Sequence, residues 1–246
     1  MYCACGKEKK YLIIIPAYNE ENTLEGIISA LHKYSSFADI LVVDDGSEDQ
    51  TPIIVKNLEN ILSIRHNKNT GYGSTLIEGF NYAIENGYEY AITIDGDNQH
   101  NPDEIDKFIQ ANEKNQYDIL SGSRYYWISQ NNHPDAPGDR KKVNYRITKK
   151  INELTNYNLT DAFCGFKLYR VQALRNLNLT EPGYAIPLQL WIEAYMNDLR
   201  VMEIPVEMIY LDHNKGVAMQ STWMRYRYYL NIINKTINKY ETSMIK

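Results

Sequence analysis

Short apolar runs alternate with amphipathic stretches along the first half of this chain. Leu12–Ile15, Ile40–Val43, Ile61–Ile64, Ala91–Ile94 and Tyr117–Ser121 are each bounded by turn formers, as buried strands are. Between the first two, Leu24, Ile27, Ile28 and Leu31 fall at helical spacing. A second helix is predicted around Pro52 to Leu58, with Pro52 in its first turn and Ser47 or Asp49 as its cap. Gly71-Tyr-Gly73 opens a third through Leu76, Ile77, Phe80 and Ala83, and Pro102 begins a fourth containing Ile105, Phe108 and Ile109. Strand–helix alternation sustained over about 120 residues predicts an α/β fold with a doubly wound, mostly parallel central sheet. Right-handed crossovers would then leave all five strand ends on one rim.

After Arg124 the rhythm changes. Gln130 to Asp139 is polar and rich in turn formers, so it reads as a loop or lid. Helix returns around Arg140 to Leu154, a strand at Phe166–Tyr169, a helix at about Pro187 to Asn197 and a strand at Val201–Ile204. Trp223, Tyr226, Leu230, Ile233, Ile237 and Tyr240 recur three and four apart, which predicts a C-terminal amphipathic helix over residues 222–240. Neither an internal repeat nor a linker divides the chain, so residues 1–246 are expected to form a single domain.

Composition narrows the class of partner. A hydrophobic content of 43% with 23% charged residues is ordinary for a globular domain, and a net charge of −5 argues against nucleic acid. Cys3, Cys5 and Cys164 make no disulfide framework, which points to a reducing compartment. Cys3-Ala-Cys5 has no second Cys or His pair to complete a metal site and reads as a frayed terminus. No apolar run approaches the roughly 18–20 residues needed to span a bilayer, and no signal-peptide core is evident. The expectation is a cytoplasmic protein, soluble or peripheral at the inner face of the membrane.

The candidate chemistry gathers at strand ends. Ala91–Ile94 stops at Asp95-Gly96-Asp97-Asn98-Gln99, and residues two apart in a strand project to the same side. Two carboxylates with the Gln99 carbonyl suit Mg²⁺ or Mn²⁺ shared with a substrate's phosphates, although Asp-Gly also serves as a plain strand-end turn. Of the pair at the end of the second strand, Asp45, beside the permissive Gly46, could accept from base or ribose groups, and Asp44 could instead brace the turn. Pro16 and Tyr18 offer an apolar wall, and Glu20 either bonds a ligand's hydroxyls or complements a helix N-terminus. Arg124 could grip phosphate or sugar oxygens bidentately, or lie at the surface. Gly71-Tyr-Gly73 looks like part of a dinucleotide fingerprint but lacks its third glycine, so packing at the start of a helix is the better reading.

Pro16-Ala-Tyr18-Asn19-Glu20, Val43-Asp44-Asp45-Gly46-Ser47-x-Asp49-x-Thr51, Gly71-x-Gly73, Asp95-Gly-Asp97-x-Gln99-His100-x-Pro102, Ser121-Gly-Ser-Arg124 and Asp161…Gly165-Phe166 occur in that order. Together they resemble the family 2 glycosyltransferases of GT-A fold, most closely the dolichyl- or polyprenyl-phosphate mannosyltransferases, over roughly residues 10–211. The resemblance implies a metal-dependent, inverting transfer from GDP-mannose or a UDP-sugar, with polyprenyl or dolichyl phosphate the first acceptor to consider. It implies that Pro16, Tyr18, Glu20, Val43, Asp45, Asp95 and Gly96 contact the nucleotide sugar, with Arg124 at its diphosphate or sugar. It also implies that Asp95, Asp97 and Gln99 hold the metal. Residues 10–124 would be the nucleotide-sugar half and residues 125–211 the acceptor half.

A lipid phosphate is already an anion and needs no general base. A saccharide hydroxyl, as in cell-surface polysaccharide synthesis, would need one, and Asp161 is the candidate. His100 would orient Gln99 or its loop. Relatives in this branch carry an Arg and a Lys in the loop that follows Val206–Leu211. His213 and Met219 stand there instead, with Lys215 between them, and Gln189 replaces an expected acidic residue. Those departures leave the acceptor open and keep a non-catalytic nucleotide-sugar-binding subunit as an alternative. A nucleotidyltransferase fits poorly, because the segment after the first strand is neither Gly-rich nor basic. The C-terminal helix could dock on a membrane surface, pack on the core, or join two subunits as a homo-oligomer.

Overall fold

The computed structural model describes residues 9–114, 117–126, 138–207, 209 and 221–244. Seven strands form one sheet: β1 (Tyr11–Ala17), β2 (Ala38–Asp44), β3 (Leu62–Arg65), β4 (Tyr90–Thr93), β5 (Ile119–Ser123), β6 (Lys167–Arg170) and β7 (Val201–Pro205). Their order across the sheet is β3-β2-β1-β4-β6-β5-β7. β1 pairs in parallel with β2 and β4, β2 with β3, and β5 with β7. β6 alone runs the other way, antiparallel to both β4 and β5.

Every residue of β1 and β2 is buried, as expected of central strands covered on both faces. Successive side chains leave on opposite faces, so Leu12 and Ile14 enter one core while Ile13 and Ile15 enter the other. The first core is closed by α3 (Tyr72–Glu85), α5 (Gly138–Thr155), α7 (Ile186–Met196) and α8 (Thr222–Met244). The second is closed by α1 (Leu24–Leu31) and α4 (Ile105–Lys114), with the Phe108 ring tilted against that of Phe166. Two short helices, α2 (Thr51–Asn57) and α6 (Val171–Leu174), complete the connections. The N-cap of α2 is Gln50, with no side-chain cap, where Ser47 or Asp49 was expected: Asp49 Oδ1 accepts from the Thr51 N–H at 2.9 Å just ahead of the helix, and Ser47 Oγ accepts from Asn19 N at 3.0 Å.

The element boundaries differ from the sequence reading mainly where partners set them. β5 lies later than Tyr117–Ser121 because Gly122 and Ser123 still pair with Ile204 and Pro205 of β7. The C-terminal helix is real and longer, and its apolar stripe is used inside the fold. Tyr229, Ile232 and Ile233 are buried against α5 and α7. Among the described residues no helix is long and apolar enough to cross a membrane. Cys3 and Cys5, most of the Gln130–Asp139 stretch, and His213, Lys215 and Met219 lie outside the described residues.

Candidate active site

Parallel strands β1, β2, β4 and β5 all end on one rim, and above it lies a cleft of about 670 Å³. Turns that follow β1 and β2 build its first side. Asn19 takes a left-handed conformation (φ 56°), and its side chain accepts from Glu48 N at 2.9 Å while Glu20 N donates to Thr51 Oγ1 at 2.8 Å. Thr23 Oγ1 lies 2.9 Å from Glu20 Oε2 and 2.7 Å from Gly96 O, so the Tyr18–Glu20 loop is tied to both neighbouring strand ends. Tyr18 and Glu20 line the cleft with Pro16. Val43 does not. It is fully buried in the core among Leu12 and Leu41, so its side chain is a packing residue where a nucleotide contact was expected.

Both carboxylates after β2 brace turns. Asp44 Oδ1 accepts from Ser47 N at 2.9 Å, with Arg65 Nε 3.1 Å from the other oxygen. Asp45 Oδ1 accepts from Thr70 N and Thr70 Oγ1 at 2.8 Å and meets His66 Nδ1 at 2.7 Å, while Oδ2 accepts from Gly71 N at 2.8 Å. Burial pushes this carboxyl up, but the His66 and Thr70 hydrogen bonds outweigh it and hold the group below its ordinary range. Asp45 therefore fastens the 66–71 loop to the strand end while still facing the cleft. Gly71 has φ +108°, and a Cβ there would stand 2.3 Å from Pro182 O. The Gly-Tyr-Gly segment is a close approach of α3 to residues 181–183, as its missing third glycine suggested.

Asp95 and Asp97 follow β4 at the middle of the cleft. Asp95 Oδ1 accepts from Tyr72 Oη at 2.9 Å, and burial keeps that phenol protonated. A quarter of the Asp95 side chain still faces the cleft, yet burial raises its carboxyl above the usual range against the pull of Tyr72, Arg124 and Lys167. The turn itself is made by Asn98 in the left-handed region (φ 62°), with Gln99 N and Gln99 Nε2 donating to the two Asp97 oxygens at 3.1 and 2.7 Å. Gln99 thus steadies Asp97. His100 receives the Asp95 N–H at Nδ1 (3.3 Å), which leaves its proton on Nε2, and burial keeps the ring neutral. Of the two expected roles, Gln99 or its loop, the bond it makes is to the backbone of the Asp95 loop. Among the described residues no three His, Cys, Asp or Glu side chains form a ready-made metal cage.

β6 supplies the other side because it runs against its neighbours. Its N-terminal approach, Asp161 to Gly165, arrives at the same rim where the parallel strands end. A Cβ on Gly165 would stand 2.5 Å from Asp95 Oδ2, so only glycine lets this backbone pass under the carboxylate. Arg124 grips Asp161 bidentately, Nε to Oδ2 at 2.7 Å and Nη2 to Oδ1 at 3.1 Å. Asn144 Nδ2 and Phe163 N also donate to Asp161 Oδ1, at 2.9 and 3.1 Å. Asp161 is fully buried. Burial pushes its carboxyl up, but the Arg124 charge and these donors win, and it sits below its ordinary range.

Sequence reading missed Tyr72, Tyr184, which stacks on it at 5.4 Å, and Glu203, which accepts from the Thr160 and Asp161 N–H groups at 2.7 and 2.9 Å. Tyr72 had a signal, its place between two glycines. It missed Lys167 as well, whose ammonium is buried, bonds Cys164 O and lies 5.4 Å over the Trp191 ring.

A mostly parallel sheet with carboxylates at the β4 end and one antiparallel strand closing the rim is the architecture of the GT-A glycosyltransferases. The match to the glycosyl transferase family 2 model spans residues 12–177, and the chain belongs to that family. The protein is a glycosyltransferase. It is 30% identical over 234 residues to the UDP-N-acetylglucosamine–dolichyl-phosphate N-acetylglucosaminyltransferase of Methanococcus voltae, covering 84% of this chain and 88% of the relative. It is 26% identical over 221 residues to the polyprenol monophosphomannose synthase of Mycolicibacterium smegmatis, covering 87% and 82%. In fold it is similar to glucosyl-3-phosphoglycerate synthase from Mycobacterium tuberculosis, solved with Mn²⁺, uridine diphosphate and glucosyl-3-phosphoglycerate. That likeness has a TM-score of 0.71 at 13% identity over 93% of this chain and 80% of the other.

Proposed function

We propose that this glycosyltransferase moves a sugar from GDP-mannose or a UDP-sugar to a polyprenyl or dolichyl phosphate, with inversion and with Mg²⁺ or Mn²⁺. The observation that carries the acceptor class is the state of Asp161. A buried carboxylate held by two Arg124 nitrogens and two further donors has no free oxygen edge with which to take a proton. Transfer to a neutral hydroxyl would need such a base, whereas a phosphate arrives ionised. Asp161 is better read as the residue that positions Arg124. The two relatives differ in their sugars and agree on a polyprenol-type phosphate, so they support the acceptor more than the donor.

The donor set fits a hard divalent cation. Asp95 and Asp97 are oxygen ligands at the middle of the cleft, each fixed by a neighbour (Tyr72 and Gln99), with room for a substrate's phosphates to complete the coordination. When bound, such an ion supplies Lewis-acid stabilisation of charge on the departing diphosphate. The chain's own residues do the rest. Pro16 and Tyr18 wall the base, Glu20 meets ribose hydroxyls, and Asp45 holds the Thr70–Gly71 backbone in place. Arg124 faces the diphosphate or sugar. Tyr125, Val143, Phe163, Pro187 and Tyr229 make an apolar wall for the acceptor. Docking at the inner face of a membrane would suit α8, which exposes Trp223 and Met224 and sets Arg227 over the Trp223 ring.

Thermal denaturation with GDP, UDP and dTDP and their sugars, with and without Mn²⁺, tests this reading. A ligand at 100 times its Kd stabilises by about 2.7 kcal/mol, a readily visible shift. If no nucleotide raises the midpoint, or the rise persists unchanged in Asp97→Ala, the site assignment is wrong.

A further inference from the structure

The cleft contains two guanidinium groups in different states. Among the described residues, Arg124 and Arg225 are the cationic side chains that line it. Arg124 is neutralised by Asp161. Arg225, in the first turns of α8, has a buried Nε with no hydrogen-bond partner, and no carboxylate among the described residues pairs with its guanidinium. A buried donor left without an acceptor is costly, so such a group persists where a ligand completes it. Its neighbours on the wall are apolar. Tyr229 lies one turn further along the same helix face, with its ring 5.0 Å from that of Phe163.

Resting on the transfer reading above, we propose that Arg225 is the acceptor-binding cation of this enzyme and recognises the phosphate of a phosphomonoester. Three observations converge on it. Arg225 sits on the α8 wall, apart from the Tyr18–Glu20 and Asp45 turns assigned to the nucleotide. A guanidinium with free donors matches phosphate oxygens bidentately. The apolar side chains Val143, Phe163 and Pro187 line the same cleft. The apolar neighbours make an isoprenoid tail the better companion for that phosphate than a small polar one.

The test is calorimetric titration of the nucleotide-loaded protein with farnesyl phosphate, farnesol and 3-phosphoglycerate. Wild-type protein is expected to bind farnesyl phosphate at least tenfold more tightly than farnesol. Arg225→Gln should weaken farnesyl phosphate by about 10- to 100-fold, the loss of a charged hydrogen-bonding partner. Arg225→Lys should recover part of that loss, and nucleotide affinity should be unchanged in both variants. Tighter binding of farnesyl phosphate than of 3-phosphoglycerate identifies a lipid as the source of the phosphate, and the reverse order identifies a soluble one. Equal affinity of wild type and Arg225→Gln for both phosphates, or farnesol binding as well as its phosphate, overturns the proposal. If Arg225→Gln does not fold, Arg225→Lys and the farnesol comparison still decide it. Absence of nucleotide binding would instead count against the transfer reading itself.

Discussion

The turns after β1 and β2 and the wall made by α5, α7 and α8 face each other across one cleft, yet they are built on opposite plans. On the turn side nearly every polar group is tied to another: Asn19 to Ser47 and Glu48, Glu20 to Thr51 and Thr23, Asp45 to four donors. Those bonds fix the backbone before any ligand arrives, which suits a constant partner such as a nucleoside diphosphate. The helical wall presents apolar rings and an Arg225 whose Nε has no partner among the described residues, with Tyr145 and Trp223 largely exposed on the same helices. A surface of that kind adapts to acceptors that vary. The difference teaches that, on the proposed assignment, donor recognition would be held by hydrogen bonds within the protein and acceptor recognition by groups left waiting.

The largest effect should come from the carboxylates between the two sides. Asp97→Asn removes an oxygen anion and is expected to lower kcat on the order of 10³-fold in the presence of Mn²⁺, with the unfolding midpoint almost unmoved. A variant that keeps wild-type turnover would remove Asp97 from the chemistry. Next in size is Asp161→Ala, which strands the Arg124 charge in a buried site. Loss of one partner from such a pair costs about 3–5 kcal/mol, to be read by urea denaturation. The Asp161 carboxyl is depressed in the folded state, so its contribution is complete above the unfolded value of about 3.9 and fades as pH falls through the folded value. The stability gap between wild type and variant should therefore be full at pH 7 and narrow below about pH 4. A gap unchanged down to pH 3 would contradict the ion-pair account.

Asp45→Ala sharpens the comparison from the turn side and should be the mildest. It leaves the Thr70 and Gly71 N–H groups without their acceptor, costing about 1–3 kcal/mol. Nucleotide affinity should fall by about tenfold while farnesyl phosphate affinity stays put. Equal losses for both ligands would show that the two sides are mechanically one unit.

Much of this was legible from sequence, and the limits are instructive. Leu12–Ile15, Ile40–Val43 and Ala91–Ile94 announce central strands because burial on both faces demands continuous apolar runs. The strand-end motifs were readable for a related reason, since turn chemistry is local. Strand direction was not. Phe166–Tyr169 reads as a strand by its residues alone, but its antiparallel course depends on β4 and β5, which are distant in sequence. The bracing role of Asp45 was not legible, because nothing in Val43-Asp44-Asp45-Gly46 reveals that Thr70 and Gly71 will point their N–H groups at it. Arg225 was passed over as one charge on an amphipathic helix. Its distinction is an Nε with no partner among the described residues, and that is a property of the folded wall.

The antiparallel β6 also carries a consequence for how the chain is made. β5 pairs only with β6 and β7, and β4 has β1 on one side and β6 on the other. A nascent chain that has emerged only as far as Arg124 would hold an open strand edge at β4 and an orphaned β5. Exposed edges of apolar strands are what neighbouring chains capture. Residues 10–124 therefore contain the motifs proposed for the donor without a closed sheet of their own, and the two open edges are covered only when Lys167–Arg170 slots between the two strands. The backbone segment that runs beneath Asp95 is thus the segment whose arrival closes the sheet.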